Sequence, residues 1–280
     1  LRVIKGVFVK IKNDKYYTPS DLVDYVISKT FDIVGKSNIT EIIEPSAGNG
    51  AFSSKLDCIA YDLYPESNNI IEQDYLELET AYKKGRLVIG NPPFGNRGHL
   101  MQKFCNKSFE IADYVSFILP ANQLNNVTSI YKFDLIYSED LGVKEYSGKK
   151  VHCCLNIYQR PSSGLLNTKP NYKTNIIEIR EVRGIIKNKN SKRNRELGTF
   201  KHDFSICAWG KGAIGKECKE GQYAKTFYFK INDIVHFDYY KNLILSADWC
   251  NLYKMTGTPN LLQWQVIKYV EDNKIETKRT

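Results

Sequence analysis

The stretch that decides the fold is Glu41-Ile42-Ile43-Glu44-Pro45-Ser46-Ala47-Gly48-Asn49-Gly50-Ala51-Phe52. Its first three residues predict a short strand, and the small residues that follow predict a tight turn that opens a helix. Small side chains let a backbone approach a ligand closely, and the first N–H groups of a helix can bind an anion. The stretch is therefore typical of the first strand and ligand-binding turn of an α/β sheet. It lacks the G-x-G-x-x-G spacing of dinucleotide-binding turns.

Strand-like and helix-like segments alternate on both sides of this stretch. One helix is predicted to begin at Thr18-Pro19-Ser20-Asp21, with Thr18 as the N-cap, and another to span residues 100–112. Buried strands are predicted at residues 59–61, 87–89, 114–119 and 151–158. Alternation of this kind predicts an α/β fold, a mostly parallel sheet with helices on both faces.

The charge is distributed unevenly along the 280 residues, which carry 40 Lys and Arg against 31 Asp and Glu, a net charge of +9. Residues 1–160 contain 19 residues of each sign, whereas residues 161–280 contain 21 basic and 12 acidic residues. A Pro-Ser-Ser-Gly linker at residues 161–164 separates the two parts. We therefore expect a neutral catalytic domain at residues 1–162 and a smaller, polyanion-binding domain at residues 163–280.

The composition excludes several classes of protein. With 42% hydrophobic and 25% charged residues, the chain is neither disordered nor fibrous. No apolar run approaches the roughly 20 residues of a membrane-spanning helix, and the N-terminal residues show no signal-peptide pattern. Seven cysteines without a C-x-x-C pair predict buried thiols in a reducing, cytoplasmic compartment.

Acidic residues follow the predicted strands. Glu44 closes the first strand, Asp62 ends the next, and Asp74-Tyr75 supplies an acceptor and a ring after a further short segment. A carboxylate before such a turn can bind an amine or a hydroxyl, and one at the end of the second strand suits ribose hydroxyls. Any one of them alone is more often a solvated loop residue. Their order and spacing together favour a nucleotide-like ligand.

The tetrapeptide Asn91-Pro92-Pro93-Phe94 follows the strand predicted at residues 87–89. Its two prolines fix the backbone and remove two N–H donors, which leaves carbonyl oxygens there to accept. Asn91 adds a side-chain acceptor, and Phe94 adds a flat apolar face. As an isolated loop the tetrapeptide would be an ordinary turn. After a strand, and downstream of the Gly-rich turn, it favours a site for a planar exocyclic amine.

These motifs together resemble the gamma-order N6-adenine DNA methyltransferases of restriction–modification systems, within the S-adenosylmethionine-dependent amino-methyltransferases. The resemblance covers most of residues 15–160, and it implies a Rossmann-like S-adenosylmethionine methyltransferase sheet followed by a smaller C-terminal target-recognition domain. The residues that match the family's cofactor-binding motifs are Tyr17, Thr18, Pro19, Glu44, Pro45, Ala47, Gly48, Gly50, Phe52, Asp62, Asp74, Tyr75 and Asn91.

The resemblance also implies the reaction, a direct methyl transfer from S-adenosyl-L-methionine to the N6 amine of an adenine flipped out of duplex DNA. Asn91, Pro92, Pro93 and Phe94 match the catalytic motif, although many relatives have tyrosine where Phe94 stands. Residues 145–151 resemble the hairpin that brings an aromatic ring, here Tyr146, onto the flipped base. The reaction that the resemblance implies requires no metal. Residues beyond 160 match no family pattern.

Basic residues are expected to contact the DNA backbone. Residues 180–201 carry a net charge of +6, and an isolated run of this kind is more often a solvated loop. Beside an adenine-methylating site, phosphate contact becomes the better interpretation. The residues expected to bind DNA are Lys149, Lys150, Lys189, Lys192, Arg193 and Arg195.

Alternatives to DNA methylation stay open. The same tetrapeptide serves RNA adenine-N6 and protein glutamine methyltransferases, and an inactive methyltransferase fold could bind nucleic acid. The expected partners are double-stranded DNA and a cognate restriction endonuclease, and no membrane. Residues 210–216 spell the G-x-x-x-x-G-K of a P-loop, but Glu217 stands where Ser or Thr would bind magnesium. A loop near the DNA backbone is the better interpretation of these residues.

Overall fold

The computed structural model describes residues 17–146, 148–183, 197–210, 212–255 and 259–276, apart from the Arg97 side chain, and the backbone of residues 3–4 and 7–8. The chain forms two compact units, Leu1–Pro170 and Asn171–Thr280. The sequence predicts the boundary between the two domains after residue 162, before the division that the structure shows after Pro170. Residues 163–170 belong with the first unit because Asn167 donates from its backbone N–H to the Lys132 carbonyl, at 2.9 Å, and from its side chain to Asp134, at 2.8 Å.

The strands of the first unit form two sheets. A short antiparallel pair consists of β1 (Val3–Ile4) and β2 (Val7–Phe8). The main sheet has seven strands: β3 (Glu41–Glu44), β4 (Ile59–Asp62), β5 (Ile71–Glu72), β6 (Arg86–Gly90), β7 (Tyr114–Pro120), β8 (Asp134–Tyr146) and β9 (Lys149–Gln159).

The order of the main sheet is β5-β4-β3-β6-β7-β9-β8. The five strands from β5 to β7 are parallel, whereas β9 is antiparallel to β7 and β8 is antiparallel to β9. The chain runs outward from β3 to β5 and then crosses back to β6 and β7. The strand order therefore reverses between β3 and β6, and a ligand crevice is expected at the carboxyl ends of these two strands.

Helices cover both faces of this sheet. Helix α1 (Ser20–Val34) packs Leu22, Val23 and Val26 with the β6 residues Leu87 and Ile89. Helix α2 (His99–Ile111) packs Phe104 and Phe109 in the cluster that holds Val88. Because neighbouring residues of a strand point to opposite faces, the two helices lie on opposite sides of β6. The predicted Rossmann-like α/β fold is confirmed.

Two local predictions in the first unit are wrong. The N-cap of α1 is Pro19, with the Val23 N–H donating to the Pro19 carbonyl, so Thr18 precedes the helix and does not cap it. No regular helix follows the Gly-rich turn. Residues 51–56 form successive turns, in which Ser54 N–H bonds Gly50 O while Lys55 N–H bonds Phe52 O. This mixture of hydrogen-bond spacings does not propagate as an α-helix.

The second unit contains a smaller sheet and three helices. Its strands are β10 (Ile177–Arg183), β11 (Phe204–Cys207) and β12 (Lys225–Ile231), in the antiparallel order β10-β12-β11. Its helices are α3 (Phe237–Ser246), α4 (Trp249–Leu252) and α5 (Gln263–Asp272). Phe227 and Phe229 of β12 pack with Ile244 and Val266 of the helices.

The G-x-x-x-x-G-K pattern is not followed by a helix. The Cys207 N–H donates to the Lys216 carbonyl at 2.9 Å, and the Cys218 N–H donates to the Ser205 carbonyl at 3.0 Å, so the chain turns back alongside β11. A P-loop leads from a strand into a helix, and this loop therefore lacks that architecture. Lys211 lies outside the described residues.

All seven cysteines are free thiols, and four of them are buried. Among the described residues, no helix has the length and apolar character needed to cross a membrane.

Candidate functional site

A cavity of about 570 Å³ lies at the carboxyl edge of the main sheet, where the strand order reverses. Its walls include segments at the carboxyl ends of four parallel strands: residues 44–49 and 51–52 at the end of β3, 62–64 at the end of β4, 73–76 after β5 and 91–94 after β6. Because parallel strands end at one edge, four chain segments distant in sequence meet at this place.

The cavity brings together most of the site residues predicted from the sequence. It is lined by Tyr17, Thr18, Glu44, Pro45, Ala47, Gly48, Phe52, Asp62, Asp74, Tyr75, Asn91, Pro92, Pro93, Phe94 and Tyr146. Pro19 and Gly50 are not in the lining: Pro19 is the N-cap of α1, and Gly50 holds the turn with φ +85°. The lining residues that the sequence did not predict are Ser46, Asn49, Ala51, Leu63, Tyr64, Gln73, Leu76, Leu100, Phe104 and Val151.

Leu100 and Phe104 could have been found from sequence. They lie four residues apart on α2, the helix that follows the tetrapeptide, and residues at this spacing share one face. The other missed residues are mainly chain neighbours of predicted ones, so motif matching alone does not separate them from the rest of their loops.

Glu44 provides a buried carboxyl group at the end of β3. Its side chain is 2% exposed, and Oε2 accepts the backbone N–H of Ser53 at 2.8 Å. Burial raises the pKa of Glu44 to about 7, and the nearby negative charge of Asp62 adds to the increase. A cation entering the cavity would favour the ionised form, so Glu44 is suited to a positively charged ligand group.

Asp62 stabilises the Gly-rich turn while facing the cavity. Its Oδ2 accepts the N–H of Gly48 at 2.7 Å, and its Oδ1 accepts the N–H of Tyr64 at 2.8 Å. Gly48 has φ +57°, a left-handed conformation that suits glycine. A carboxylate has about four lone-pair positions, so two backbone bonds leave Asp62 able to accept from ligand hydroxyls.

Asp74 and Tyr75 begin a 3₁₀ turn after β5. Asp74 Oδ1 accepts the N–H of Leu76 at 2.9 Å, which fixes the carboxylate at the cavity wall. Tyr75 is 1% exposed, stacks on Phe104 with ring centroids 5.5 Å apart, and bonds Ser108 Oγ at 2.9 Å. The Tyr75 ring is therefore a rigid part of the cavity wall, and its hydroxyl points into the core.

Asn91 is held from two directions. Its side-chain Nδ2 donates to the Thr18 hydroxyl at 3.1 Å, and its backbone carbonyl accepts from the Ser46 hydroxyl at 3.3 Å. With Nδ2 engaged by Thr18, Oδ1 is the atom of the amide that can accept a ligand hydrogen. Among the described residues, none donates to the carbonyl of Pro92, so a second acceptor lies beside it.

Two aromatic side chains border the same cavity. Phe94 is half-buried, and Tyr146 is buried at the end of β8, where it pairs in register with Lys149 of β9. Both rings belong to the apolar cluster on the α1 face. Lys149 and Lys150 are exposed at the start of β9, beside this hairpin turn. The hairpin thus carries an aromatic ring into the cavity and places two lysines on the adjacent surface.

The remaining predicted DNA-binding residues, Lys189, Lys192, Arg193 and Arg195, lie outside the described residues. The ends of the basic run are described: Arg180 is exposed on β10 and lies over the Phe200 ring at 5.5 Å, and Arg183 forms an ion pair with Glu181. In the described part of the chain, no group of three or more His, Cys, Asp or Glu is arranged to hold a metal ion.

Comparison with known proteins adds a few distant structural likenesses. No family model matches the sequence, and no curated protein matches it. A Pyrococcus horikoshii protein named as an RNA methyltransferase candidate is 17% identical, with a TM-score of 0.43 over 52% of this chain and 87% of that one. A Thermoplasma acidophilum protein is 19% identical, with a TM-score of 0.42 over 55% of this chain and 93% of that one. The 23S rRNA methyltransferase ErmE is 12% identical, with a TM-score of 0.39 over 53% and 70%.

Proposed function

We propose that this chain is an S-adenosyl-L-methionine-dependent methyltransferase that methylates the N6 amine of adenine in duplex DNA. One observation carries the proposal: Asn91 and Pro92 lie at a cavity that Phe94 and Tyr146 also line. Two acceptors beside aromatic rings suit a planar ring bearing an exocyclic amine. The acidic groups of the same cavity suit a cationic, ribose-containing methyl donor.

The donor set of the cavity fits S-adenosyl-L-methionine. Glu44 would face its cationic amine and sulfonium end, Asp62 its ribose hydroxyls, and Asp74 the exocyclic amine of its adenine. Bound there, the cofactor would supply an electrophilic methyl group on sulfonium sulfur.

The chain's own residues would position the target amine. Asn91 Oδ1 and the Pro92 carbonyl would each accept one hydrogen of the amine, which turns the nitrogen lone pair toward the methyl group. Phe94 and Tyr146 would hold the plane of a base that has left the duplex stack. The amine lone pair would form the new N–C bond, the sulfur of the bound donor would keep the electron pair of the broken sulfur–carbon bond as a neutral thioether, and the amine would release one proton to solvent. Catalysis of this kind depends on positioning and on preorganised acceptors.

The charge favours a nucleic acid over a protein as the substrate, and the family resemblance favours duplex DNA among nucleic acids. Residues 161–280 carry all of the net charge of +9, and Lys149 and Lys150 are exposed next to the Tyr146 hairpin. A protein glutamine substrate would require no such excess. Sequence-specific methylation of DNA would also fit the cognate restriction endonuclease that the family resemblance implies as a partner.

The substrate is tested by methyl transfer from radiolabelled S-adenosyl-L-methionine to duplex DNA, RNA and protein in parallel. We expect label in DNA, recovered as N6-methyladenine after digestion. Label in RNA or glutamine alone would contradict the proposal, and cofactor binding without any transfer would indicate an inactive fold.

Asn91→Ala and Asp74→Ala separate the two halves of the site. Asn91→Ala should reduce turnover at least 100-fold, a loss of about 2.7 kcal/mol or more in positioning the amine, while calorimetry still detects cofactor binding. Asp74→Ala should weaken cofactor binding first, with turnover recovering at high cofactor concentration. Abolished cofactor binding in Asn91→Ala would contradict the role assigned to Asn91.

A further inference from the structure

The hydrogen bond between Thr18 and Asn91 joins two residues that are 73 positions apart in sequence. Thr18 lies just before α1, and Asn91 lies just after β6. Both line the same cavity. The sequence predicted Thr18 as a helix cap, and the structure shows its hydroxyl accepting from the Asn91 amide at 3.1 Å instead.

The chemistry of the two groups fixes the direction of this bond. An amide nitrogen has hydrogens to donate and no lone pair to offer, so the Thr18 hydroxyl must be the acceptor. Because a hydroxyl can donate as well as accept, it fixes the amide orientation only while its own hydrogen is donated elsewhere; in that state it can only accept, and Asn91 Nδ2 must face it. The hydroxyl keeps one hydrogen of its own to donate, and Thr18 borders the cavity.

The chain on either side of Thr18 is fixed. The Tyr17 hydroxyl lies 2.9 Å from both carboxylate oxygens of Glu66, and the Glu66 N–H bonds the Gly48 carbonyl at 3.1 Å. On the other side, Pro19 accepts the first backbone hydrogen bond of α1. The Thr18 hydroxyl is therefore held in place by the loop after β4 and by a helix start.

We propose that Thr18 is a positioning residue that couples cofactor binding to the orientation of Asn91. Its hydroxyl accepts from Asn91 Nδ2 and donates to an anionic or carbonyl oxygen of the cofactor. The cofactor thus strengthens the bond that holds Asn91 Oδ1 toward the target amine. The inference rests on the proposed function for the identity of cofactor and amine, whereas the Thr18–Asn91 bond itself does not.

The bond is tested by the side-chain amide resonances of Asn91 in the ¹⁵N-labelled full-length chain. These resonances are identified as the pair that disappears in Asn91→Asp. We expect them to shift on adding S-adenosyl-L-homocysteine in the wild type and in Thr18→Ser, which keeps the hydroxyl. Thr18→Val keeps the shape of the side chain and removes the hydroxyl. In this variant the two Asn91 resonances should have different chemical shifts without ligand, and they should move much less when S-adenosyl-L-homocysteine is added.

The matched control is Thr40→Val, because Thr40 bonds the Lys84 carbonyl and does not line the cavity. Thr40→Val should leave the Asn91 resonances unchanged. Unchanged resonances in Thr18→Val, or an equal change in Thr40→Val, would overturn the inference.

Kinetics give a second readout. At saturating cofactor, Thr18→Val should lower kcat roughly three- to tenfold, the range for one neutral hydrogen bond, and Thr18→Ser should restore most of it. An effect on KM for the cofactor alone, with kcat unchanged, would show that Thr18 binds cofactor without positioning Asn91. If no substrate is methylated while the amide resonances respond as expected, the proposed function fails and the positioning role stands.

Discussion

Glu44 is the residue whose ionisation most directly affects the site. Its pKa is raised to about 7, above the ordinary 4.5, chiefly because burial disfavours the charged form. The carboxyl group is therefore ionised above pH 7 and protonated below it. A cationic ligand is attracted by the ionised form alone, so binding of such a ligand draws the proton off the carboxyl group.

Affinity for S-adenosyl-L-methionine should therefore fall as the pH is lowered through 7. One unit below the pKa only about a tenth of the groups are ionised, so we expect up to about tenfold weaker binding at pH 6 than at pH 8. Calorimetric titrations across this range measure the effect. Glu44→Gln should bind the cofactor more weakly and with a flatter pH profile. An unchanged wild-type affinity between pH 6 and pH 8 would contradict the role of Glu44.

At the residue scale, motifs in the sequence were sufficient to predict the main side chains of the cavity but not their contacts. Glu44, Asp62 and Asn91 stand at strand ends, and the parallel sheet brings strand ends together. The bond from Asn91 to Thr18 depends on the backbone path before α1, to which no local pattern points. The bond from the Gly48 N–H to Asp62 likewise joins two different loops, 14 positions apart.

At the element scale, buried strands were predictable and the edge strand was not. Strands β6 and β7 are mostly apolar and almost fully buried, the pattern of parallel strands buried on both faces. Strand β8 is a long edge strand with mixed polar residues, and its pairing with β9 shifts register between Leu135 and Tyr137 and between Asp140 and Gly142. Such shifts break the period-two alternation by which a strand is recognised.

Close packing between the end of the tetrapeptide 91–94 and helix α2 can be tested by substituting Gly95, with Gly142 as the control. Gly95, directly after Phe94, has φ +67°, and a Cβ there would lie 2.6 Å from the Leu100 Cβ. Gly95→Ala should therefore combine backbone strain with a clash at a cavity-lining residue. We expect a loss of about 2 kcal/mol or more in the free energy of unfolding, together with weaker cofactor binding.

Gly142→Ala is the matched control. Gly142 has a similar φ of +72°, but a Cβ there would have nothing within 4 Å. Strain alone should cost about 1 kcal/mol, and cofactor binding should stay as in the wild type. Thermal unfolding of the full chain and calorimetric titration compare the two variants. Equal losses in the free energy of unfolding of both variants would mean that the structure moves to remove the Leu100 clash at no cost in stability, which would contradict this prediction.

At the scale of the whole molecule, charge and chemistry are divided between different parts of the chain. The cavity lies within the unit Leu1–Pro170, and residues 1–160 have no net charge. The division into two units was predictable because composition changes along the chain. Its position was not, since residues 163–170 have linker-like composition but are held to the first unit by hydrogen bonds of Asn167.

The basic run at residues 180–201 is expected to supply much of the affinity for DNA. Each phosphate neutralised by Lys or Arg releases counterions, so the logarithm of the binding constant falls with the logarithm of salt concentration, by about 0.9 per contact. Replacing Lys189, Lys192, Arg193 and Arg195 by glutamine should flatten this slope by up to about 3.6 if all four contact phosphates. Binding of the full-length variants to duplex DNA, measured by fluorescence anisotropy from low to high salt, gives the slope.

The control variant must lose the same kind of positive charge while it keeps the four residues proposed to contact DNA phosphates. Lys36, Lys84 and Lys103 are exposed in the first unit and do not line the cavity, so replacing them by glutamine lowers the net charge alone. We expect little change in slope per charge removed in this control. Cofactor affinity should stay at the wild-type value in both variants, because the cavity lies in the first unit. An equal change of slope per charge in the two variants would mean that the protein attracts DNA through its net charge, and that the basic run is a solvated loop.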